Sequence, residues 1–236
     1  MIGIIGAMDK EISLLCDSMD KVVTSKTAGY EFFRGKIEGK EVVVLLCGIG
    51  KVNAAVGCAL LIQQFNPSCV INTGSAGGIN PGLKVGDVII STGLIYHDVD
   101  VTAFDYAPGQ LPRQPQIFPA DESLIKLAKN SIEELKQEKI LPPAFNHCLG
   151  VIGSADSFIH EPERIEKIRN VFPGIDAVEM EGAAIAHCCY LFSLPALVIR
   201  ALSDVAGTES PVSFKEFLPV ASTNSANIVM RILRKV

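Results

Sequence analysis

The sequence has no tryptophan, no pair of cysteines in C-x-x-C spacing, no excess of basic residues and no long apolar stretch free of charge. Each absence excludes a class of protein. A net charge of -5 removes the electrostatic basis for nucleic-acid binding. The lack of an uncharged apolar run of about 18 residues argues against a membrane span. The opening MIGIIGAMDKE reaches charged residues too early for a secretory signal, so we expect a cytoplasmic protein.

The seven cysteines are odd in number and most of them lie in apolar runs. In a protein without a secretory signal this pattern favours reduced thiols packed in the core. Two neighbouring pairs, His147–Cys148 and His187–Cys188, suggest a metal at first sight. Adjacent residues of one element point to different sides and make poor chelating pairs, so core packing is the better interpretation and we predict no metal.

Apolar segments alternate with amphipathic ones along all 236 residues. Short aliphatic runs such as MIGIIGA, KEVVVLL and ALVIRAL are typical of buried strands, whereas DESLIKLAKNSIEELKQEK has helical spacing with Asp121 as its cap. A terminal helix is expected over 213–234, and the proline-rich segment 97–118 is too irregular for a regular element. Because no linker or compositional break divides the chain, we predict a single α/β domain over residues 1–236 with a largely parallel central sheet.

CGIGKVN is similar to a dinucleotide-binding fingerprint, but Asn53 stands where the third Gly or Ala belongs. The acid that would hold a ribose about 20 residues later is also missing, since no Asp or Glu occurs between Lys51 and Gly86. A close strand-to-helix turn is sufficient to explain these glycines. We therefore predict no cofactor.

Acids, serines and glycines collect where the predicted strands end. Ligand sites in parallel sheets form at the carboxyl ends of the strands, and Glu11, Glu181 and Asp204 each follow such an end. A shared acidic pocket is one interpretation. Separate helix caps and surface charges are the other, since an acid in the first turn of a helix is favourable in itself. The residues alone leave both open.

Six segments, GIIGAMDKE, CGIGKVNAA, INTGSAGG, YHDVDVTAF, AVEMEGAAIAH and RALSDVA, make the sequence resemble the methylthioadenosine/S-adenosylhomocysteine nucleosidases of the purine nucleoside phosphorylase superfamily. The resemblance runs along the whole chain in the family's order. It implies a three-layer sandwich, nucleoside phosphorylase-like, in which helices flank a mostly parallel mixed sheet. It also implies small adenine thionucleosides as substrates. The reaction would be hydrolysis of the bond between adenine N9 and ribose in methylthioadenosine, S-adenosylhomocysteine and 5′-deoxyadenosine.

The resemblance assigns a role to each acid. Asp204 would protonate adenine N7, which requires a protonated carboxyl near neutral pH, a state that burial can provide. Glu11 would orient and deprotonate the attacking water. Glu181 would accept hydrogen bonds from the ribose 2′ and 3′ hydroxyls and favour a cationic sugar, with Arg200 orienting it. Glu179 would be a further partner or only a structural residue.

Around the acids the resemblance implies a largely apolar pocket. Phe158 would stack on adenine and backbone groups of Ile159 would read it, while Ser203 supports Asp204. The remaining implied positions are Ser75, Ala76, Gly77 and Met180 at the sugar, and Met8, Ile49 and Phe214 at the 5′-thio group. From a second subunit would come Val101, Phe104, Tyr106 and Pro112, so the resemblance implies a homodimer.

Three other functions stay open at this point. A phosphorylase of the same superfamily needs cations around phosphate, but Asn72 stands where bacterial-type relatives place an arginine, and Glu11 would repel the anion. Futalosine-type hydrolases share the mechanism and are not separated by sequence. A non-catalytic purine-binding protein would be expected to lack part of the acid set, whereas Glu11, Glu181 and Asp204 are all present.

Overall fold

The computed structural model describes residues 1–142, 145–205 and 210–236. Within them the chain forms ten strands and six helices. The strands are β1 Ile2–Gly6, β2 Asp20–Thr27, β3 Tyr30–Ile37, β4 Lys40–Leu46, β5 Cys69–Gly78, β6 Val88–Tyr96, β7 Phe118–Pro119, β8 His147–Ser154, β9 Ile175–Glu179 and β10 Ala196–Val205. The helices are α1 Asp9–Asp17, α2 Lys51–Phe65, α3 Glu122–Gln137, α4 Pro162–Val171, α5 Gly182–Leu191 and α6 Ser210–Leu233.

The strands form one mixed sheet in the order β10–β6–β8–β9–β5–β1–β4–β3–β2, with β7 beside β6 and a further pairing of β10 with β5. Among the described residues, five strand pairs are parallel and five are antiparallel. The predicted α/β fold with a mixed sheet is confirmed. The antiparallel share reaches half because β2, β3 and β4 follow one another as hairpins, β9 runs against β5, and β6 runs against both β10 and β7.

Helices cover both faces of the sheet, because alternate residues of a strand point to opposite sides. Ile5 and Val43 belong to an apolar cluster that includes α2 and α5. Their neighbours Ile4 and Val44 belong to a second cluster that includes α1, α3 and α6. The result is the helix–sheet–helix sandwich that the resemblance implies.

Most of the predicted elements lie where the local pattern indicates. The carboxylate of Asp121 accepts a hydrogen bond from the Leu124 N–H at 2.9 Å and caps α3, as predicted. The terminal helix begins at Ser210, three residues earlier than expected. Apart from one 3₁₀ turn at Thr102–Phe104 and the start of β7, the 97–118 segment is irregular. Strand β2 was not predicted, because its residues are almost all exposed and carry no apolar alternation.

Five of the seven cysteines are buried, as expected of core residues, whereas Cys16 and Cys148 are half-buried. The Sγ atoms of Cys58 and Cys189 lie 3.8 Å apart where α2 packs on α5.

Among the described residues, no helix combines the length and the apolar character needed to cross a bilayer. In the same part of the chain, no group of three or more His, Cys, Asp or Glu side chains could hold a metal ion.

Candidate active site

A cavity lies where the sheet divides along β5. On one edge of this strand the pairing with β1 ends at Asn72 and the pairing with β9 begins at Gly77. Along the other edge β10 accompanies β5 as far as Gly78, with a bulge at Ser203. Bulges redirect side chains, and here two successive residues, Ser203 and Asp204, both face the cavity. The carboxyl ends of β5, β9 and β10 therefore meet at one place.

The cavity has a volume of about 280 Å³. Thirteen of the predicted site residues line it: Met8, Glu11, Ile49, Ser75, Ala76, Gly77, Phe158, Glu179, Met180, Glu181, Ser203, Asp204 and Phe214. Ala7 and Val178 line it as well and were not predicted, because small aliphatic residues beside a strand end resemble core. The structure thus brings the three acids together, as the shared-pocket interpretation expects. Their chemical roles stay predictions.

Six predicted residues do not belong to the lining of this cavity: Ile159, Arg200, Val101, Phe104, Tyr106 and Pro112. The side chain of Ile159 is buried in a separate apolar cluster with Ile165 and Phe172, so its predicted contact through backbone groups stays a prediction. Arg200 lies behind the acids with none of its surface exposed. The other four lie on the irregular 97–118 segment, where Phe104 is 75% exposed.

Glu179 accepts hydrogen bonds from several sides of its carboxylate. Arg200 Nη2 and Ser154 Oγ donate to it, and so do the backbone N–H groups of Glu181 at 2.9 Å and Gly182 at 2.8 Å. The last two groups lie at the start of α5, where unpaired N–H groups and the helix dipole favour an anion. These contacts tie the carboxylate to the protein, as the structural interpretation of Glu179 expects, and a role as a partner of the ligand stays a prediction.

Arg200 supplies the positive charge behind the cavity. Its Nη2 atom donates to Glu179 and, at 2.7 Å, to Asn72 Oδ1, whereas Glu181 Oε2 lies farther away at 3.6 Å. Glu179 is thus the nearer carboxylate, and Arg200 also pairs with Glu181, so the expectation that Arg200 orients Glu181 stays a prediction. Burial opposes a charge here, but Glu179, Glu181 and Glu11 together raise the pKa of Arg200. The guanidinium stays charged.

Glu181 is the N-cap residue of α5 and is buried. Its Oε1 atom accepts a hydrogen bond from the Gly50 N–H at 2.9 Å. Burial raises the pKa of Glu181 to about 7, and the charge of Glu179 adds to this, while Arg200 and the Gly50 N–H act in the opposite direction. A carboxyl group that titrates near neutral pH in a cavity is a candidate functional group.

Glu11 connects the carboxyl ends of β1 and β5. Its Oε2 atom accepts from the N–H groups of Ala7 at 2.9 Å and Met8 at 3.1 Å. Its Oε1 atom accepts from the Ser75 N–H at 2.9 Å and from Ser75 Oγ at 3.1 Å. The backbone of two strand ends therefore fixes the direction of this carboxylate.

Asp204 is 1% exposed, and Ser203 Oγ donates a hydrogen bond to its Oδ1 atom at 3.0 Å. Gly77 allows the close approach of this carboxyl group, because a Cβ atom there would lie 3.2 Å from Oδ2. The apolar side of the cavity includes Phe158 and Phe214, whose rings meet edge to face at 5.9 Å between centroids.

Four carboxylate side chains line the cavity, and its described lining contains no Lys, Arg or His. The positive charge nearest to them belongs to Arg200, which is already paired. The acids of the lining, where they are ionised, produce a negative field inside the cavity. Such a field favours a ligand or a transition state that carries positive charge and disfavours an anion.

Comparison with known proteins gives a consistent result. A model of the phosphorylase superfamily matches residues 1–234. The 5′-methylthioadenosine/S-adenosylhomocysteine nucleosidase of Marinomonas sp. (strain MWYL1) is 48% identical over 234 residues, covering 99% of this chain and 98% of the relative. The Neisseria meningitidis enzyme of the same name, solved with methylthio-immucillin-A, superposes with a TM-score of 0.95 at 45% identity, covering 100% and 99% of the two chains. The futalosine hydrolase of Helicobacter pylori superposes with a TM-score of 0.91 at 34% identity, covering 100% and 97%.

Gly74 lies between the side chains of Arg200 and Glu11 and leaves room for both of them. A Cβ atom at this position would lie 2.1 Å from Arg200 Nη1 and 2.7 Å from Glu11 Oε1. Both side chains are buried and hydrogen-bonded, so neither can retreat easily. We expect Gly74→Ala to lower the free energy of unfolding by about 1–3 kcal/mol, the usual cost of overpacking, as measured by urea denaturation.

The matched control is Gly174→Ala, because a Cβ atom there would meet nothing within 4 Å. This variant should unfold at the same urea concentration as the parent protein or at a slightly higher one. Equal stability of the two variants would show that the space between Arg200 and Glu11 is not needed.

Proposed function

The chain belongs to the phosphorylase superfamily, and we propose that within it this chain is a nucleosidase that hydrolyses the N-glycosidic bond of 5′-methylthioadenosine and S-adenosylhomocysteine. The products are adenine and the 5′-substituted ribose, and 5′-deoxyadenosine is a further substrate. The observation that carries the proposal is the convergence of Glu11, Glu181 and Asp204 on one largely apolar cavity. The 48% identity to a nucleosidase of that name over nearly the whole chain supports it.

In this proposal Asp204 donates a proton to adenine N7. Departure of the base moves electrons into the purine ring, and protonation of N7 makes that ring a better leaving group. General acid catalysis of this kind contributes roughly 10²–10⁴-fold to a rate. The 1% exposure of Asp204 supports the role, because bulk water cannot compete for the proton. Phe158 provides the surface on which the base stacks.

Glu11 orients the attacking water and takes its proton. Three of the four donors on its carboxylate are backbone N–H groups, which cannot turn away. The fourth is the Ser75 hydroxyl, which rotates freely. A water molecule can therefore take the place of this hydroxyl on Oε1 and be held by Ser75 at the same time.

Glu181 accepts hydrogen bonds from the ribose hydroxyls, and its negative charge stabilises the cationic sugar of the transition state. Its position between the Gly50 N–H and the cavity supports this role. The neighbouring Met180 packs on the apolar face of the sugar, and Ser75, Ala76 and Gly77 line the other side. The 5′-thio group lies among Met8, Ile49 and Phe214, which are apolar and line the same cavity.

The charges of the cavity favour hydrolysis over phosphorolysis. A phosphorylase must bind phosphate through cationic groups, whereas the described lining is acidic and Arg200 is engaged by two carboxylates. The second candidate is a futalosine-type hydrolase, which the similarity to the Helicobacter pylori enzyme favours. The identity to that hydrolase is 34%, whereas the identities to the two methylthioadenosine/S-adenosylhomocysteine nucleosidases are 45% and 48%, which supports the methylthioadenosine activity as the first candidate.

The active form is a homodimer of one-domain subunits that span residues 1–236. Val101, Phe104, Tyr106 and Pro112 do not line the cavity of their own chain, and the 75% exposure of Phe104 leaves its ring available to a partner. These residues complete the 5′-thio end of the partner's cavity. We place the enzyme in the cytoplasm, because all seven cysteines are free thiols, the state that a reducing compartment maintains.

Release of adenine tests the proposed function directly. Purified protein in phosphate-free buffer should convert methylthioadenosine to adenine and methylthioribose, and Asp204→Asn should lose about 10²–10⁴-fold in rate while it still binds adenine in calorimetry. Turnover that depends on added phosphate would favour a phosphorylase. No adenine release between pH 5 and 8 would favour a binding protein, and a wild-type rate in Asp204→Asn would remove that residue from the reaction.

The pKa of Glu181 predicts a pH dependence. Because the folded protein holds this pKa at about 7, Glu181 is ionised above pH 7 and becomes protonated below it. The value of kcat/KM, which reports the free enzyme, should therefore fall as the pH decreases through 7. In Glu181→Gln the maximal rate should be lower and this decrease should vanish. A decrease that persists in Glu181→Gln must belong to another group.

The dimer has its own measurement. One chain has a mass of 25.3 kDa. At the concentrations used for kinetics, sedimentation equilibrium should give twice that mass. Phe104→Ala should raise the KM for methylthioadenosine several-fold without lowering thermal stability, because an exposed ring leaves the core of its own chain intact. A fully active monomer would contradict the shared cavity.

A further inference from the structure

The N-terminus of α2 has no cap within its own segment. Its N-cap residue is Gly50 at φ +99°, and the first turn of the helix contains no acid. Two carboxylates from elsewhere in the chain accept its leading N–H groups. Glu181 accepts from Gly50 at 2.9 Å, and Asp156 accepts from Lys51 at 2.8 Å. One helix end thus connects Glu181 with Asp156, which does not line the cavity.

Asp156 is itself held by a partly exposed network. Lys51 Nζ lies 2.6 Å from Asp98 Oδ2 and 3.7 Å from Asp156 Oδ2. The Asp156 N–H donates to Asp98 Oδ2 at 3.1 Å. A Cβ atom on Gly50 would lie 3.1 Å from Asp156 Oδ1, so this carboxylate packs directly against the glycine. Glu181 and Asp156 therefore hold Gly50 and Lys51 from two different segments.

We propose that Asp156 is a positioning residue that holds the first turn of α2 so that the Gly50 N–H points at Glu181. Glycine adopts positive φ easily and leaves it easily, so the direction of this N–H depends on what fixes the next residue. Asp156 fixes it through the Lys51 N–H. The expected effect of Asp156 on the reaction rate rests on the proposed function. Its effect on Glu181 does not, because the titration of Glu181 can be measured without any turnover.

Loss of the Gly50 hydrogen bond should change the pKa of Glu181 in one direction. Glu181 faces titratable or charged groups on four other segments: Glu179 on β9, Arg200 on β10, Glu11 on α1 and Cys47 after β4. Arg200 and the Gly50 N–H favour the ionised carboxylate. If the Gly50 N–H turns away, one of these two contacts is lost and the pKa of Glu181 rises further above its ordinary range.

The test is to follow Glu181 by ¹³Cδ NMR in glutamate-labelled protein, with Glu181→Gln used to assign the signal. In Asp156→Ala its titration midpoint should move to higher pH by up to about one pH unit, the effect of losing one backbone hydrogen bond to a carboxylate. The decrease of kcat/KM at low pH should move with it, and kcat/KM at pH 7 should fall by up to about 5-fold, because the ionised fraction of Glu181 at that pH falls from about one half to about one tenth.

Two variants separate positioning from charge. Asp156→Asn removes the charge but keeps an oxygen that can accept from Lys51, so the midpoint should stay at or below the parent value. Glu163→Ala removes one charge from an exposed acid at the start of α4 and should change nothing. The proposal is overturned if the midpoint in Asp156→Ala equals the parent value, or if Asp156→Asn moves it as far as Asp156→Ala does. If the parent protein releases no adenine, the proposed function fails, but the NMR titration still decides the positioning role.

Discussion

The buried guanidinium of Arg200 is what allows several carboxylates to gather away from water. An unpaired buried carboxylate is strongly unfavourable, and here Glu179 and Glu181 share one fully buried cation. The sharing is unequal. Glu179 lies closer to Arg200 and is also held by Ser154 and the start of α5. Glu181 lies farther from the guanidinium, so its ion pair is weaker, and its pKa is about 7. One ion pair therefore stabilises the fold around the cavity and leaves the neighbouring acid close to its titration point.

Three helices begin at the cavity, and each contributes to this balance. Glu11 lies in the first turn of α1, Gly50 is the N-cap of α2 and Glu181 is the N-cap of α5. The N-terminal end of a helix carries partial positive charge. Oriented peptide groups thus stabilise the acids without a lysine or arginine side chain in the described lining. The division of β5 between β1 and β9 creates the gap in which these ends meet.

Local sequence patterns were sufficient to predict much of the fold, but they left open whether the three acids share one pocket, which the family resemblance implied. The aliphatic runs of β1 and β10 and the cap of α3 follow from composition and spacing, and the three acids follow strand ends, which meet in an α/β sheet. Strand β2 carries no apolar alternation and could not be found this way. The hydrogen bonds and ion pairs that determine the pKa and the orientation of the acids could not be predicted from the sequence either. Gly50 and Glu181 are 131 residues apart and Lys51 and Asp156 are 105 apart. The preference of Arg200 for Glu179 depends on a difference in distance that no local pattern contains.

The ring contact between Phe158 and Phe214 joins two parts of the cavity wall. Phe158 follows β8 and Phe214 lies on α6, so the pair connects two segments that are far apart in the chain. Edge-to-face pairs of this kind contribute roughly 0.5–1.5 kcal/mol. In the proposed roles Phe158 stacks on the base and Phe214 lies at the 5′-thio group, so a displacement of either ring by one end of the substrate would be transmitted to the residue that contacts the other end.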